Sequence, residues 1–211
     1  MRNLLNILFI AALAAAWATA EARTVRDFFL SEQGGIFNTL PTSKRQDMLA
    51  YYDAGRLMPT ENSTGDTATL SLVTDAFLSI TTSSVSDVQM AMLVTKKDTT
   101  ILVVNTLRLP ASDSRITAYD TGWNQVDIGK VVELPSLEDF VTLPEGSKMK
   151  KSEVTGQIRF PLISYTVDPS TMAITARQHL ADFISEEEWE ELAPYFLDSL
   201  SCPLKLKLAN R

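Results

Sequence analysis

One cysteine, Cys202, and one histidine, His179, are all that 211 residues hold of the two commonest zinc ligands. A lone cysteine closes no internal disulfide, so a small module stapled by bridges is excluded. A zinc centre needs several His or Cys side chains and finds one of each. Asp113, Asp120 and Asp127 do not alternate within a ligand loop of the calcium type. The eight glycines form no phosphate-cradling motif, and no cofactor is expected. Positive charge is also short, with 19 Lys and Arg against 26 Asp and Glu, a net charge of −7. An acidic chain repels phosphate backbones, which argues against nucleic acid as a partner. The one dense basic cluster, Lys148-Met149-Lys150-Lys151, reads as a solvated loop. No period of 20–50 residues repeats, so solenoids and propellers are excluded.

Long apolar runs are absent except at the start. Arg2 precedes an apolar stretch from Leu4 to Ala18, and small residues follow at Ala18-Thr19-Ala20 and Ala20-Glu21-Ala22. That order is expected of a secretory signal peptide spanning residues 1–22, with cleavage after Ala20 or Ala22. The run is short and Ala-rich for a spanning helix. The remaining chain, about 190 residues, is long enough to bury a core without staples. It reads as one mature α+β domain over residues 23–211, with Leu143–Glu153 as the place for a subdomain boundary if there is one. An exported chain without internal disulfides fits a bacterial envelope, and the periplasm is the expected location ahead of the extracellular space.

The first mature segments are helical. Thr24 is placed to cap a helix through Leu30, with Gly34-Gly35 breaking it. Ser43-Lys44-Arg45-Gln46 has capping-box spacing, and Gly55 is a C-terminal stop. The period then changes from helical to alternating. "ATLSLV" (68–73), "AFLSIT" (76–81), "VQMAMLV" (88–94) and "TILVVNTLRL" (100–109) predict an antiparallel meander. "ILVV" is apolar on both faces and predicts a strand covered on both sides. A short helical turn is expected at Ser136-Leu137-Glu138-Asp139. Asp168-Pro169-Ser170-Thr171 predicts a turn between two strands. Ser185 and Glu188 predict a second capping box, and Pro194 a kink. "PLKLKLA" at the end predicts an edge strand.

"SRITAYDTGW" (114–123) asks for a hairpin. With Asp120-Thr121-Gly122 as a three-residue loop and Gly122 in the left-handed position, Tyr119 falls opposite Trp123 and Arg115 opposite Asp127. Tyr119, Trp123 and Arg115 then share a face. Either a helix covers the aromatic pair as core, or the pair is a platform for a sugar ring, a peptide or a partner protein. These three residues are the candidate binding site.

No candidate catalytic residue stands out. A Ser–His–Asp or Cys–His centre must use His179, which has no nucleophile motif around it, so a structural histidine is expected. Glu186-Glu187-Glu188 reads as a solvated helix start favoured by the macrodipole. The expected function is therefore a non-enzymatic binding or interaction module with an unknown protein or glycan partner in the envelope. A hydrolase of glycans using two convergent carboxylates is the second reading, and an envelope assembly subunit the third.

Three segments, "RQDMLAYYDAG" (45–55), "PASDSRITAYDTGW" (110–123) and "LISYTVDPSTMAIT" (162–175), resemble in order those of an exported Bacteroidales family catalogued only as a domain of unknown function, of DUF3256 type. The resemblance spans nearly the whole mature chain. Its most specific elements are Arg45-x-Asp47-Met48 and Asp113-Ser114 followed by Tyr119-Asp120-x-x-Trp123. It implies an envelope location and brings no activity, cofactor or catalytic residue.

Overall fold

β-branched and long apolar residues in alternation leave one side of a strand for a core and the other for water or a second layer. The computed structural model describes residues 23–209 except Gln33 and Gln157, and in it that alternation builds two antiparallel sheets. The expected signal peptide, residues 1–22, lies outside the described residues. Among the described residues no helix is long and apolar enough to cross a membrane.

The larger sheet has seven strands in sequential order. They are β1 (Thr60–Glu61), β2 (Thr67–Val73), β3 (Phe77–Ser83), β4 (Ser86–Val94), β5 (Thr99–Leu107), β6 (Asp113–Tyr119) and β7 (Gln125–Val126). β4 and β5 pair without interruption from Val94↔Thr99 to Ser86↔Leu107. Ile101, Leu102, Val103 and Val104 of β5 are all buried, as their double-faced apolar run predicts. On one face lie α1 (Val25–Ser31) and α2 (Thr42–Asp53), which touch β2, β3 and β4. Against the other lies a three-stranded sheet of order β10-β9-β8, with β8 (Ile163–Val167), β9 (Ile174–Gln178) and β10 (Ser199–Cys202). The fold is thus an α+β meander with helices on one face and a second sheet behind. One apolar cluster joins Phe28, Leu78, Met90 and Ile101 to Ile163, Ile174 and Ala176 of the small sheet.

β8 is an edge strand, and its outward N–H groups need partners. The larger sheet supplies them from side chains. Ile163 N–H donates to Asp113 Oδ1 (3.2 Å), Tyr165 N–H to Ser114 Oγ (3.2 Å) and Val167 N–H to Gln89 Oε1 (3.0 Å). The two sheets are therefore stitched by hydrogen bonds as well as by apolar contact.

The helix ends differ in how far they follow expectation. Thr24 starts α1, and its N–H and hydroxyl both donate to Asp27 Oδ2 (2.7 and 3.1 Å). α2 begins at Thr42 with Pro41 as its N-cap, so Ser43 lies inside the first turn and the box expected there does not form. Proline favours a helix start because its fixed φ is already near helical and it has no N–H to leave unpaired. Gly55 stops α2 at φ +70°. Its N–H donates to Tyr52 O and that of Arg56 to Tyr51 O (both 2.9 Å), the two bonds of a left-handed helix cap. A bidentate ion pair from Arg26 to Asp53 (2.7 and 2.9 Å) ties α1 to α2 and holds the Asp53 carboxyl below its usual range.

α3 (Lys151–Thr155) sits at the end of what reads as a polar connection, with Val154 buried as its anchor. α4 (Glu186–Leu192) starts at Ser185, whose N–H and hydroxyl donate to Glu188 Oε2 (3.1 and 2.9 Å). A 3₁₀ turn containing Pro194 follows α4. The terminal "PLKLKLA" is not an edge strand. β10 ends at Cys202, and Leu204 and Leu208 make only isolated bridges to Val132 and Thr95. Its alternation still sorts side chains, with Leu204, Leu206 and Leu208 against the core and Lys205 and Lys207 exposed. Asn62, within Asn62-Ser63-Thr64, is buried and donates its amide to Thr82 O (2.9 Å), a structural role.

The β8–β9 turn is held by one carboxylate. Asp168 Oδ1 accepts from the N–H and hydroxyl of Ser170 (2.9 and 2.7 Å) and of Thr171 (2.7 and 2.9 Å). These bonds, led by the Ser170 hydroxyl, push the Asp168 carboxyl far below its ordinary value. A depressed folded-state pKa gives stability that is present above the unfolded value, near 3.9, and is lost as pH falls through the folded value. Asp168→Asn is therefore expected to be less stable than wild type in urea melts at pH 7. The difference should shrink steadily below about pH 4. An equal deficit at pH 3 and pH 7 would contradict it.

Candidate functional site

The hairpin after β6 places two of the three sequence-predicted site residues under α1. β6 pairs with β7 as Tyr119↔Gln125 and Ala118↔Val126, a two-residue shift from the expected register. The loop runs from Asp120 to Asn124. Asp120 Oδ1 accepts from the N–H of Gly122 (2.8 Å) and of Asn124 (2.9 Å), and its other oxygen accepts from Asn124 Nδ2 (2.9 Å). The left-handed residue is Trp123, at φ +64°. Gly122 does not take that role. A side-chain cap has replaced the glycine rule, and it also holds the Asp120 carboxyl below its usual range.

Trp123 is half-buried. Its ring meets Phe28 edge-on at 6.2 Å and Tyr119 at 5.4 Å, and its indole N–H donates to Ser31 Oγ (3.2 Å). Arg23 stacks 4.0 Å from the centre of the Phe28 ring and donates to Thr121 O (3.0 Å). The pair is packed on the core by α1, the covering arrangement of the two weighed above. Arg115 is exposed and pairs across to Asn105 of β5. It is not opposite Asp127, whose carboxylate accepts from Gly129 N–H (3.0 Å).

His179 stands between two partners. Its Nδ1 lies 3.1 Å from Asp182 Oδ2, and its Nε2 lies 2.7 Å from Ser164 Oγ. An ionised carboxylate only accepts, so Nδ1 carries the proton in that bond. In the neutral ring Nε2 then accepts from the Ser164 hydroxyl. The hairpin makes this meeting. Ile163 pairs with Gln178 and Ser164 with Arg177, and His179 N–H donates to Leu162 O (2.9 Å). A turn over Asp168–Thr171 alone would set Ser164 opposite Thr175; the loop instead closes between Asp168 and Ala173, and that two-residue shift brings His179 to Ser164.

An apolar groove lies beside it. Val154, Ile158, Phe160, Phe183, Ile184 and Leu192 line a groove of about 530 Å³ between α3 and α4. Phe160 and Phe183 are 58% and 44% exposed, and their rings meet edge-on at 6.1 Å. Glu153, Glu188, Glu191 and Arg159 stand around it, an acidic balance. Glu153 and Glu188 each spend an oxygen on a helix start, through Lys150 N–H (2.9 Å) and Ser185. A second pocket, of about 560 Å³, lies between β6, Ser136–Glu138 and β8. Two of its polar side chains, Asp113 and Ser114, are already committed to β8. Cys202 is buried, and burial pushes its thiol above the ordinary range, which suppresses thiolate chemistry.

Residues 17–202 match the model of a family described as a protein of unknown function, DUF3256. A solved structure described as a domain of an uncharacterized protein from Porphyromonas gingivalis W83 is similar in fold. It has a TM-score of 0.69 and 24% identity, over 82% of this chain and 89% of that one. At that identity the likeness concerns the fold. Among curated proteins no match is found.

Proposed function

The chain belongs to the DUF3256 family, and from that premise we propose that it is an exported, periplasmic binding protein whose ligand lies in the groove between α3 and α4. Export rests on the apolar leader and its small-residue cleavage pattern. The observation that carries the binding reading is the exposed Phe160–Phe183 pair. Two large rings left in water beside a concave surface cost free energy that a ligand recovers by covering them. A groove of about 530 Å³ is the size that takes a small molecule. The three glutamates against one arginine favour an amphiphile with an apolar body and a neutral or cationic end.

Decyltrimethylammonium and decanoate below their micellar concentrations separate these features by calorimetry. The cation is expected to bind the more tightly. The Phe160→Ser/Phe183→Ser variant should weaken it about tenfold, since two partly covered rings contribute roughly 1 kcal/mol or more together. Equal binding of the two amphiphiles, or no loss in the variant, would sink the groove as the site.

A further inference from the structure

We propose that Ser164, His179 and Asp182 form a nucleophilic relay that cleaves carboxylic esters. The order of contacts is that of an activated serine: Ser164 Oγ to His179 Nε2 at 2.7 Å, and His179 Nδ1 to Asp182 Oδ2 at 3.1 Å. The histidine side chain is 15% exposed and the aspartate 62%, so the base is held within the fold while the relay opens to solvent. Ser164 is half-buried on the outer face of the small sheet. Arg177 lies directly across β9 from it, exposed on the same face. Paired residues of antiparallel strands have Cβ atoms about 5 Å apart. Its guanidinium is thus within reach of an oxyanion formed at a carbonyl carbon beside Ser164. The backbones of the two strands are tied at the relay, because the carbonyl of Leu162, two residues before Ser164, accepts from His179 N–H.

The step balances within these groups. Ser164 Oγ attacks the ester carbonyl carbon as its proton passes to His179 Nε2. The tetrahedral oxyanion, facing Arg177, collapses with cleavage of the bond to the alcohol oxygen, which takes the proton from His179. Water, deprotonated by the same nitrogen, then attacks the acyl-serine. It releases the carboxylic acid and returns the proton to Ser164. Leu180 and Phe183, the residues flanking the Ala181–Asp182 segment, line the apolar groove, which assigns the acyl group as the apolar part of the substrate. That choice of acyl group rests on the groove reading. The nucleophile does not.

The test uses a fluorophosphonate probe with peptide mapping, then p-nitrophenyl acetate and butyrate. Wild type is expected to be labelled at Ser164 and to turn over butyrate faster than acetate. Ser164→Ala should abolish labelling, and His179→Ala should slow it at least a hundredfold, with circular dichroism unchanged in both. Arg177→Ala should lower turnover about tenfold or more while labelling persists. Labelling at Ser164 with no acyl preference would keep the relay and overturn the groove as its acyl site. No labelling of folded wild type, or equal labelling of His179→Ala, would overturn the relay and leave the three side chains as a structural tie across the hairpin.

Discussion

Arg45→Met is expected to lower the melting temperature by roughly 6–12 °C, from a loss of about 3 kcal/mol in a chain of this size. The arginine is 4% exposed. It donates to Phe29 O, to Glu32 O (2.9 Å) and to Thr42 Oγ1 (3.1 Å), and its guanidinium lies against the touching rings of Phe29 and Phe37, 5.6 and 5.5 Å from their centres. Only its Nε lacks a partner. Burial lowers the pKa of this cation, and the facing charge of Glu32 opposes that shift. Glu32 is itself buried and accepts from the N–H groups of Ile36 and Phe37 (3.2 and 3.3 Å). One side chain thus closes the end of α1, the turn after it and the start of α2. Methionine fills much of the volume but takes a donor from two carbonyls and leaves a buried carboxylate without its cation. Arg45→Lys should fall between, because a single ammonium cannot reach three acceptors in the plane of a fork. Thermal unfolding followed by circular dichroism gives the order. A change under about 2 °C for Arg45→Met would refute this account of the network.

The same residue shows what a sequence conceals. Arg45-x-Asp47-Met48 is a specific element of the family resemblance, and an arginine on a helix reads as solvent-facing. Burial of Arg45 depends on carbonyls of α1 that only the tertiary fold brings near. Strands β2 to β5 were legible because period-two alternation is local and redundant over five or more residues. The Ser185 box and the Asp168 turn were legible because their hydrogen bonds close within four residues. α3 was not, since Val154 is the one buried residue in an otherwise polar segment. The end of β10 was misplaced because Leu204, Leu206 and Leu208 alternate as a strand does while pairing with no strand as a ladder. At the groove, Phe160 and Phe183 are 23 positions apart, and nothing local marks them as neighbours. Ser164 and His179 share one hairpin, but their meeting depends on the loop closing at Ala173, two residues beyond the turn that Asp168-Pro169 marks.

The hairpin loop gives the second large effect, and it separates two registers. Trp123→Ala removes the contacts with Phe28 and Tyr119 and the bond to Ser31, an expected loss of about 2–3 kcal/mol, somewhat below that of a fully buried aromatic. Trp123→Gly removes the same contacts and one atom more, yet it should be the more stable of the two by about 1 kcal/mol. A side chain at φ +64° strains against its own backbone, and glycine does not. Gly122→Ala should be mild. Its φ lies outside the left-handed region, and a new Cβ meets only Asn124 Nδ2 at 3.2 Å and Asp120 Oδ1 at 3.3 Å, side-chain atoms that can shift by a few tenths of an ångström. A three-residue loop with Gly122 left-handed demands the reverse: a severe loss for Gly122→Ala and no advantage of glycine over alanine at 123. Melting the three variants side by side therefore reads the loop without a second structure. An advantage of glycine at 123 places the left-handed turn at the tryptophan. That in turn explains why Trp123 folds back onto α1 and is half-buried there: the left-handed backbone redirects its ring across the end of the loop, where Phe28 and Ser31 receive it.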